Sequence, residues 1–159
     1  MNVHVAANGA AERAASIARE LKSLEGPLLP ILHAVQEEFG YVPPEALPAI
    51  AEVLNLSRAE VHGVASFYHD FKTHPQGRHV LKLCRAEACQ SMGSDDLATQ
   101  AKRLLGIDFH ETTADGSVTL EPVYCLGLCS CSPAAMLDGE VHGRLDADSL
   151  GELVREARR

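Results

Sequence analysis

His79-Val80-Leu81-Lys82-Leu83-Cys84-Arg85-Ala86-Glu87-Ala88-Cys89 is the stretch that decides how the chain is read. Its first half has the alternation of a half-buried strand. It ends on a C-x4-C pair, so the strand delivers a cysteine into a loop. A second stretch repeats the arrangement. Val118-Thr119-Leu120-Glu121-Pro122-Val123 reads as a strand and leads into Tyr124-Cys125-Leu126-Gly127-Leu128-Cys129-Ser130-Cys131, a C-x3-C with one extra cysteine. All five cysteines of the 159-residue chain lie in these two stretches.

Thiolates are soft ligands, and four of them meeting at one end of a sheet suit zinc or an iron–sulfur cluster. Structural zinc prefers tight C-x2-C knuckles, and both gaps here are wider. A pair of disulfides suits an even cysteine count in an oxidising compartment. A catalytic thiol accounts for one cysteine, not four. An iron–sulfur cluster therefore ranks ahead of zinc, and both rank far ahead of the other readings. Gly127 lets its loop take a positive φ and turn N–H groups toward sulfur.

The whole chain narrows the class further. Apolar residues make up 46% and charged residues 23%, ordinary values for a globular protein. The formal net charge of −8 is a poor start for binding nucleic acid or an anionic membrane surface. No apolar run is long enough for membrane insertion. The N-terminus, Met1-Asn2-Val3-His4-Val5-Ala6-Ala7, has no secretory signal pattern. Together with the clustered, odd-numbered cysteines this points to a reducing, cytoplasmic setting.

Outward from the cysteine strands, the first half of the chain reads as helical. Residues 1 to about 10 are expected to fray. Ala14, Ile17, Ala18, Leu21 and Leu24 recur at helical spacing, and Gly26-Pro27 ends that helix. Leu28, Leu32, Val35 and Phe39 form one stripe of a second helix that stops at Gly40. Pro43-Pro44 opens a third helix carrying Leu47, Ile50 and Leu54. Ser57-Arg58-Ala59-Glu60 has the capping-box form and opens a fourth, with Val61, Val64 and Ala65 inward. Phe67, Tyr68 and Phe71 are expected to cap the bundle core, with contact to a partner subunit as the alternative. The turn His74-Pro75-Gln76-Gly77 is the best domain boundary.

Beyond it the pattern changes. Ser94 to Leu105 reads as a helix with Leu97, Ala101, Leu104 and Leu105 inward, stopping at Gly106. Asp115-Gly116 is a turn. Residues 134–142 form a hairpin around Asp138-Gly139, and residues 146–157 a closing helix. The order from residue 78 is β-α-β-β-β-α. The fold class is α/β in the second half, after an N-terminal helical bundle. The expected domains are an extension with a helix over 1–26, a helical bundle over 27–77, and an α/β domain over 78–159.

These features together resemble a known family, the thioredoxin-like 2Fe–2S ferredoxins. The likeness rests on C-x4-C, 35 residues, then C-x3-C, with Gly63-Val64-Ala65-Ser66-Phe67-Tyr68 and Cys125-Leu126-Gly127-Leu128-Cys129 beside them. It runs from about Pro27 to about Leu153. Within the family it looks like the branch that contains the 24-kDa subunit of respiratory complex I. That branch also holds the gamma subunit of NAD-dependent formate dehydrogenase and a subunit of NAD(P)-linked hydrogenases. Arg85-Ala86-Glu87-Ala88 departs from the small, often glycine-containing loop of complex I members. The loop Cys84-Arg85-Ala86-Glu87-Ala88-Cys89-Gln90 looks most like the formate dehydrogenase gamma subunit.

The resemblance implies a thioredoxin-like second domain and one 2Fe–2S cluster on Cys84, Cys89, Cys125 and Cys129. It also implies a partner subunit that binds FMN and NAD(H) and trades electrons with the cluster. The chain itself then performs no substrate chemistry. In agreement, it contains no G-x-G-x-x-G fingerprint for a dinucleotide. The rival from another class is a zinc-binding interaction module.

The remaining candidates have plainer readings. Cys131 is a free thiol beside the site, because C-x3-C matches the family and C-x5-C does not. The eight histidines are scattered, and neither cysteine loop contains the histidine that a Rieske centre needs. Residues 55–64 superficially resemble a helix-turn-helix. From Tyr41 to Arg78, however, Arg58, Lys72 and Arg78 face Glu45, Glu52, Glu60 and Asp70, so helix packing is the better reading.

Overall fold

The computed structural model describes residues 3–159. The chain divides into two compact units, Met1–Pro75 and Gln76–Arg159.

The first unit is all helical. Its helices are α1 (Val3–Leu21), α2 (Leu28–Phe39), α3 (Ala46–Leu54) and α4 (Arg58–Phe67). The fraying expected at residues 1–10 falls, for its first two residues, outside the described part. From Val3 on, the alanine-rich segment is helical, as its high intrinsic propensity favours. The helix ends at Leu21, not Leu24: Leu24 N–H bonds to Leu21 O at 3.0 Å and closes a turn. Gly40 terminates α2 in the left-handed conformation (φ +77°), its N–H on Gln36 O. The proline pair lies just outside α3, which starts at Ala46. Pro44 restricts the residue before it to extended backbone. The capping box at α4 is complete, with Glu60 N–H on Ser57 Oγ and Ser57 N–H on the Glu60 carboxylate.

Ile31, Leu32, Val35, Ile50 and Val61 are fully enclosed at the centre of this unit. Of the three aromatics expected in that core, one is there. Phe71 is buried and packs against His33 with the two rings tilted, 4.9 Å between centroids. Phe67 is 73% exposed and Tyr68 44%. The buried face of α4 is set by Val61 and Ala65. Phe67, two residues beyond Ala65 and at the helix end, points away from that face.

The second unit is a five-stranded sheet with helices. Its elements are β1 (His79–Cys84), α5 (Glu87–Ser91), α6 (Ser94–Leu105), β2 (Glu111–Thr112), β3 (Val118–Val123), β4 (Ala135–Leu137), β5 (Glu140–His142) and α7 (Ala147–Ala157). The expected α/β class is observed, with two elements added. The C-x4-C loop contains the short helix α5. The two-residue strand β2 pairs antiparallel with β3. Neither is long enough to show a periodicity. The sheet order is β2-β3-β1-β4-β5. β1 and β3 are parallel neighbours, while β4 runs antiparallel to β1 and β5 to β4.

Leu81, Leu83, Val118 and Leu120 of the parallel pair pack with Leu97 and Ala101 of α6 and Leu150 and Val154 of α7. Leu104, expected inward, is 38% exposed, and Leu97, Ala98, Ala101 and Leu105 form the buried stripe of α6 instead. The β4–β5 turn is Asp138-Gly139, both at positive φ (49° and 93°) as a tight hairpin turn requires. Asp146 caps α7 reciprocally with Ser149.

Candidate metal centre

In a parallel pair both strands end on the same side. Cys84 and Val123 are direct partners across β1 and β3. The loop after β1 therefore starts beside the loop that carries Cys125 and Cys129. This is the placement expected from the two strand–cysteine patterns.

The first pair is enclosed. Cys84 and Cys89 are each 2% exposed and pack with Ala134, Val123, Leu126 and Leu128. Cys84 is anchored by its own N–H on Ala134 O at 3.0 Å, and Arg85 N–H bonds to Val123 O at 2.7 Å. Helix α5 begins at Glu87 and brings Cys89 back toward Cys84, and the two cysteines share one small buried cluster. Burial pushes the Cys84 thiol up. The amide N–H groups of Ala86 and Leu126 oppose that by bonding its sulfur, and the Cys89 thiol beside it adds to the rise. Leu126 belongs to the second loop, so one of its amides already serves a sulfur of the first.

The second pair is open to solvent. Cys125 and Cys129 are exposed, with their Sγ atoms 3.8 Å apart. Cys125 has φ +133° and Gly127 φ +79°, and this reversal aims Gly127 N–H at Cys125 Sγ at 3.3 Å. Cys129 opens a short 3₁₀ turn, Cys129–Cys131. Its thiol is raised first by the Cys125 thiol beside it and, further down, by the more distant Cys89. The four cysteines thus lie on two loops that start from adjacent parallel strands.

Cys131 lies at the other end of the 3₁₀ turn. Its Sγ is 3.9 Å from Ser130 Oγ. Its carbonyl accepts Arg144 N–H at 2.6 Å. Gly143 lies against it so closely that a Cβ there would stand 2.8 Å from the Cys131 carbonyl oxygen.

The donor set fits a thiolate-bound cluster. Two sulfurs on one tetrahedral metal with bonds of about 2.3 Å are about 3.8 Å apart, which is the Cys125–Cys129 separation. Among the described residues, no group of three or more His, Cys, Asp or Glu closes around one point tightly enough for a single ion. The donors come as Cys84 with Cys89 in one buried cluster and Cys125 with Cys129 on the neighbouring loop. All five cysteines are free thiols.

Sequence reasoning did not foresee how the loops are braced. Arg85 Nη2 bonds to Asp95 Oδ1 at 2.8 Å, and its guanidinium lies over the Phe109 ring at 5.4 Å. Lys102 approaches the same ring at 4.4 Å. Ser132 Oγ bonds to Cys129 O at 2.7 Å and lies 3.6 Å from Cys89 Sγ. The only sequence signal for Ser132 was a serine before a proline, three residues after Cys129.

A family model described as thioredoxin-like [2Fe-2S] ferredoxin matches residues 14–158. The chain belongs to this family. The thioredoxin-like ferredoxin is 39% identical over 142 residues to the E subunit of NADH-quinone oxidoreductase from Pseudomonas aeruginosa, spanning 87% of this chain and 86% of the relative. It is 37% identical over 148 residues to the corresponding protein of Escherichia coli K12, which bears the same name, spanning 91% and 89%. Among solved structures it matches an NAD+-reducing [NiFe]-hydrogenase in the air-oxidized state, with TM-score 0.70 and 27% identity. That match covers 82% of this chain but only 22% of the hydrogenase chain. The family named from the cysteine spacing is borne out. The matches reported are named for quinone-linked and hydrogen-linked enzymes, so they do not carry the narrower likeness to a formate dehydrogenase.

Proposed function

We propose that this ferredoxin is the electron-transfer subunit of an NAD(H)-linked oxidoreductase complex. Cys84, Cys89, Cys125 and Cys129 hold one 2Fe–2S cluster, which when bound accepts and gives up one electron at a time. The observation that carries the reading is the pair of cysteine loops on adjacent parallel strands, with the Cys125–Cys129 sulfurs 3.8 Å apart. The names of the matched relatives support the same class.

The chain's own part is to bind and tune. Burial of Cys84 and Cys89 excludes water from one side of the site. The amides of Ala86, Leu126 and Gly127 point at ligand sulfurs and favour their negative charge. Exposure of Cys125 and Cys129 leaves the other side open for electron exchange. FMN and NAD(H) belong on a partner subunit, and the setting is cytoplasmic. Among the described residues no helix is long and apolar enough to cross a membrane.

The parent enzyme is of the NADH-quinone oxidoreductase or NAD-reducing hydrogenase type. The finer assignment, to an NAD-dependent formate dehydrogenase, rests on loop residues 84–90 alone.

The test is iron, sulfide and zinc analysis of chain purified anaerobically, with EPR before and after reduction. Two irons and two sulfides per chain, with a signal only after reduction, are expected. Stoichiometric zinc without sulfide in protein from its native host would replace this reading with the zinc-binding interaction module.

A further inference from the structure

One hydroxyl touches both cysteine loops. Ser132 Oγ lies 3.6 Å from Cys89 Sγ and 2.7 Å from the carbonyl oxygen of Cys129. With Cys89 as a free thiol, the order of donation is a short chain. The Cys89 S–H donates to Ser132 Oγ, and the Ser132 O–H donates to Cys129 O.

That order cannot survive when Cys89 serves as a ligand. A ligating cysteine is a thiolate and has no proton to give. If the hydroxyl kept its orientation, an oxygen lone pair would face a negatively charged sulfur at 3.6 Å. A serine hydroxyl has one proton and rotates freely about its C–O bond. Turning it toward sulfur replaces a repulsion with a charge-assisted hydrogen bond. Cys129 is exposed, so its carbonyl can take water in place of the hydroxyl. The sulfur of Cys89 is buried and has no such alternative. The balance favours the turn.

We propose that in the loaded protein Ser132 donates a hydrogen bond to the Cys89 thiolate and thereby raises the reduction potential of the cluster. The inference rests on the 2Fe–2S reading above. Reduction adds one negative charge to the cluster and its ligands. A donor aimed at a ligand sulfur therefore favours the reduced form over the oxidised one. Ser132 is a positioning residue that acts through Cys89. Ser130, on the same turn, provides the comparison: its hydroxyl lies by the sulfur of Cys131, not by one of the four ligand cysteines.

The experiment is a redox titration followed by EPR on the full chain, comparing wild type with Ser132→Ala, Ser132→Thr and Ser130→Ala. Iron and sulfide are measured on every sample. Ser132→Ala is expected to lower the reduced-to-oxidised ratio at a fixed potential by up to about tenfold, a shift of about 59 mV for one electron. Ser132→Thr keeps the hydroxyl and should restore the wild-type value, and Ser130→Ala should not move it. A full cluster in Ser132→Ala with an unchanged midpoint overturns the proposal. If Ser132→Ala does not hold a cluster, a crystal structure of the loaded wild type decides. Ser132 Oγ within hydrogen-bond reach of Cys89 Sγ supports the proposal, and Ser132 Oγ turned away from it overturns it. Wild-type chain without iron and sulfide would instead overturn the cluster reading, a separate and visible failure.

Discussion

The sulfurs of Cys125 and Cys129 lie 3.8 Å apart, whereas Cys131, two residues further on, turns its backbone to Arg144 and its sulfur to Ser130. The 3₁₀ turn separates the two thiols. Cys129→Ser should therefore lose or alter the visible absorption and the EPR signal of the reduced protein. Cys131→Ser should keep both. Equal loss in the two variants would rule out the ligand assignment.

Leu81 and Leu120 are register partners in the parallel pair, and both are fully buried. Leu81→Ala removes three heavy atoms from the centre of the sheet unit, where the backbone on both sides is held by strand hydrogen bonds and cannot close the gap. The expected cost is about 2–5 kcal/mol. Chemical denaturation followed by far-UV circular dichroism measures it. A loss under about 1 kcal/mol would mean that the site collapses around the smaller side chain.

Two glycines should respond in opposite directions. A Cβ at Gly143 would meet the Cys131 carbonyl oxygen at 2.8 Å and its Cβ at 2.9 Å, and the oxygen is backbone that cannot swing aside. Gly143→Ala should push the 129–131 turn and reduce iron content while far-UV dichroism stays close to wild type. Gly151 lies within α7 with nothing near its missing Cβ. Gly151→Ala should stabilise the sheet unit by about 0.5–1 kcal/mol, because alanine loses less backbone freedom on entering a helix. Thermal melting of the two variants checks both signs.

Acid should act through Asp115. Its carboxylate accepts Thr113 Oγ1–H at 2.5 Å, Ser117 Oγ–H at 2.7 Å and Ser117 N–H at 3.0 Å. These bonds hold its carboxyl well below the ordinary range. A carboxyl depressed in the folded state adds stability that is present above its unfolded value, about 3.9. That stability is lost as pH falls through the folded value. Asp115→Asn should therefore melt below wild type at neutral pH. The gap should narrow progressively below about pH 4. A gap that stays constant as the pH falls would show that the charge of Asp115 does not contribute.

Much of this architecture is legible in the chain because its signals are local. Ser57 and Glu60 stand three apart and cap α4 by themselves, and Gly40 and Gly106 stop helices through their own backbone freedom. The strand before each cysteine pair places the two loops without further information. Elements too short to repeat their period carry no such signal, and α5 and β2 are of that kind. The exposure of Phe67 depends on which side of α4 faces the bundle, and the apolar count alone does not fix that side. The Ser132–Cys89 contact joins residues 43 apart. It exists only once β1 and β3 have brought their loops together, so no spacing rule reaches it.

Cys84 and Val123 face each other at the ends of β1 and β3. A slip of one residue between these strands would shift one cysteine loop against the other by about 3.3 Å and turn its side chains to the opposite face. The four thiols would then not meet. With the four cysteines as the proposed ligands, a slipped sheet would take up no cluster, so a coloured molecule is one whose strands have reached their native register.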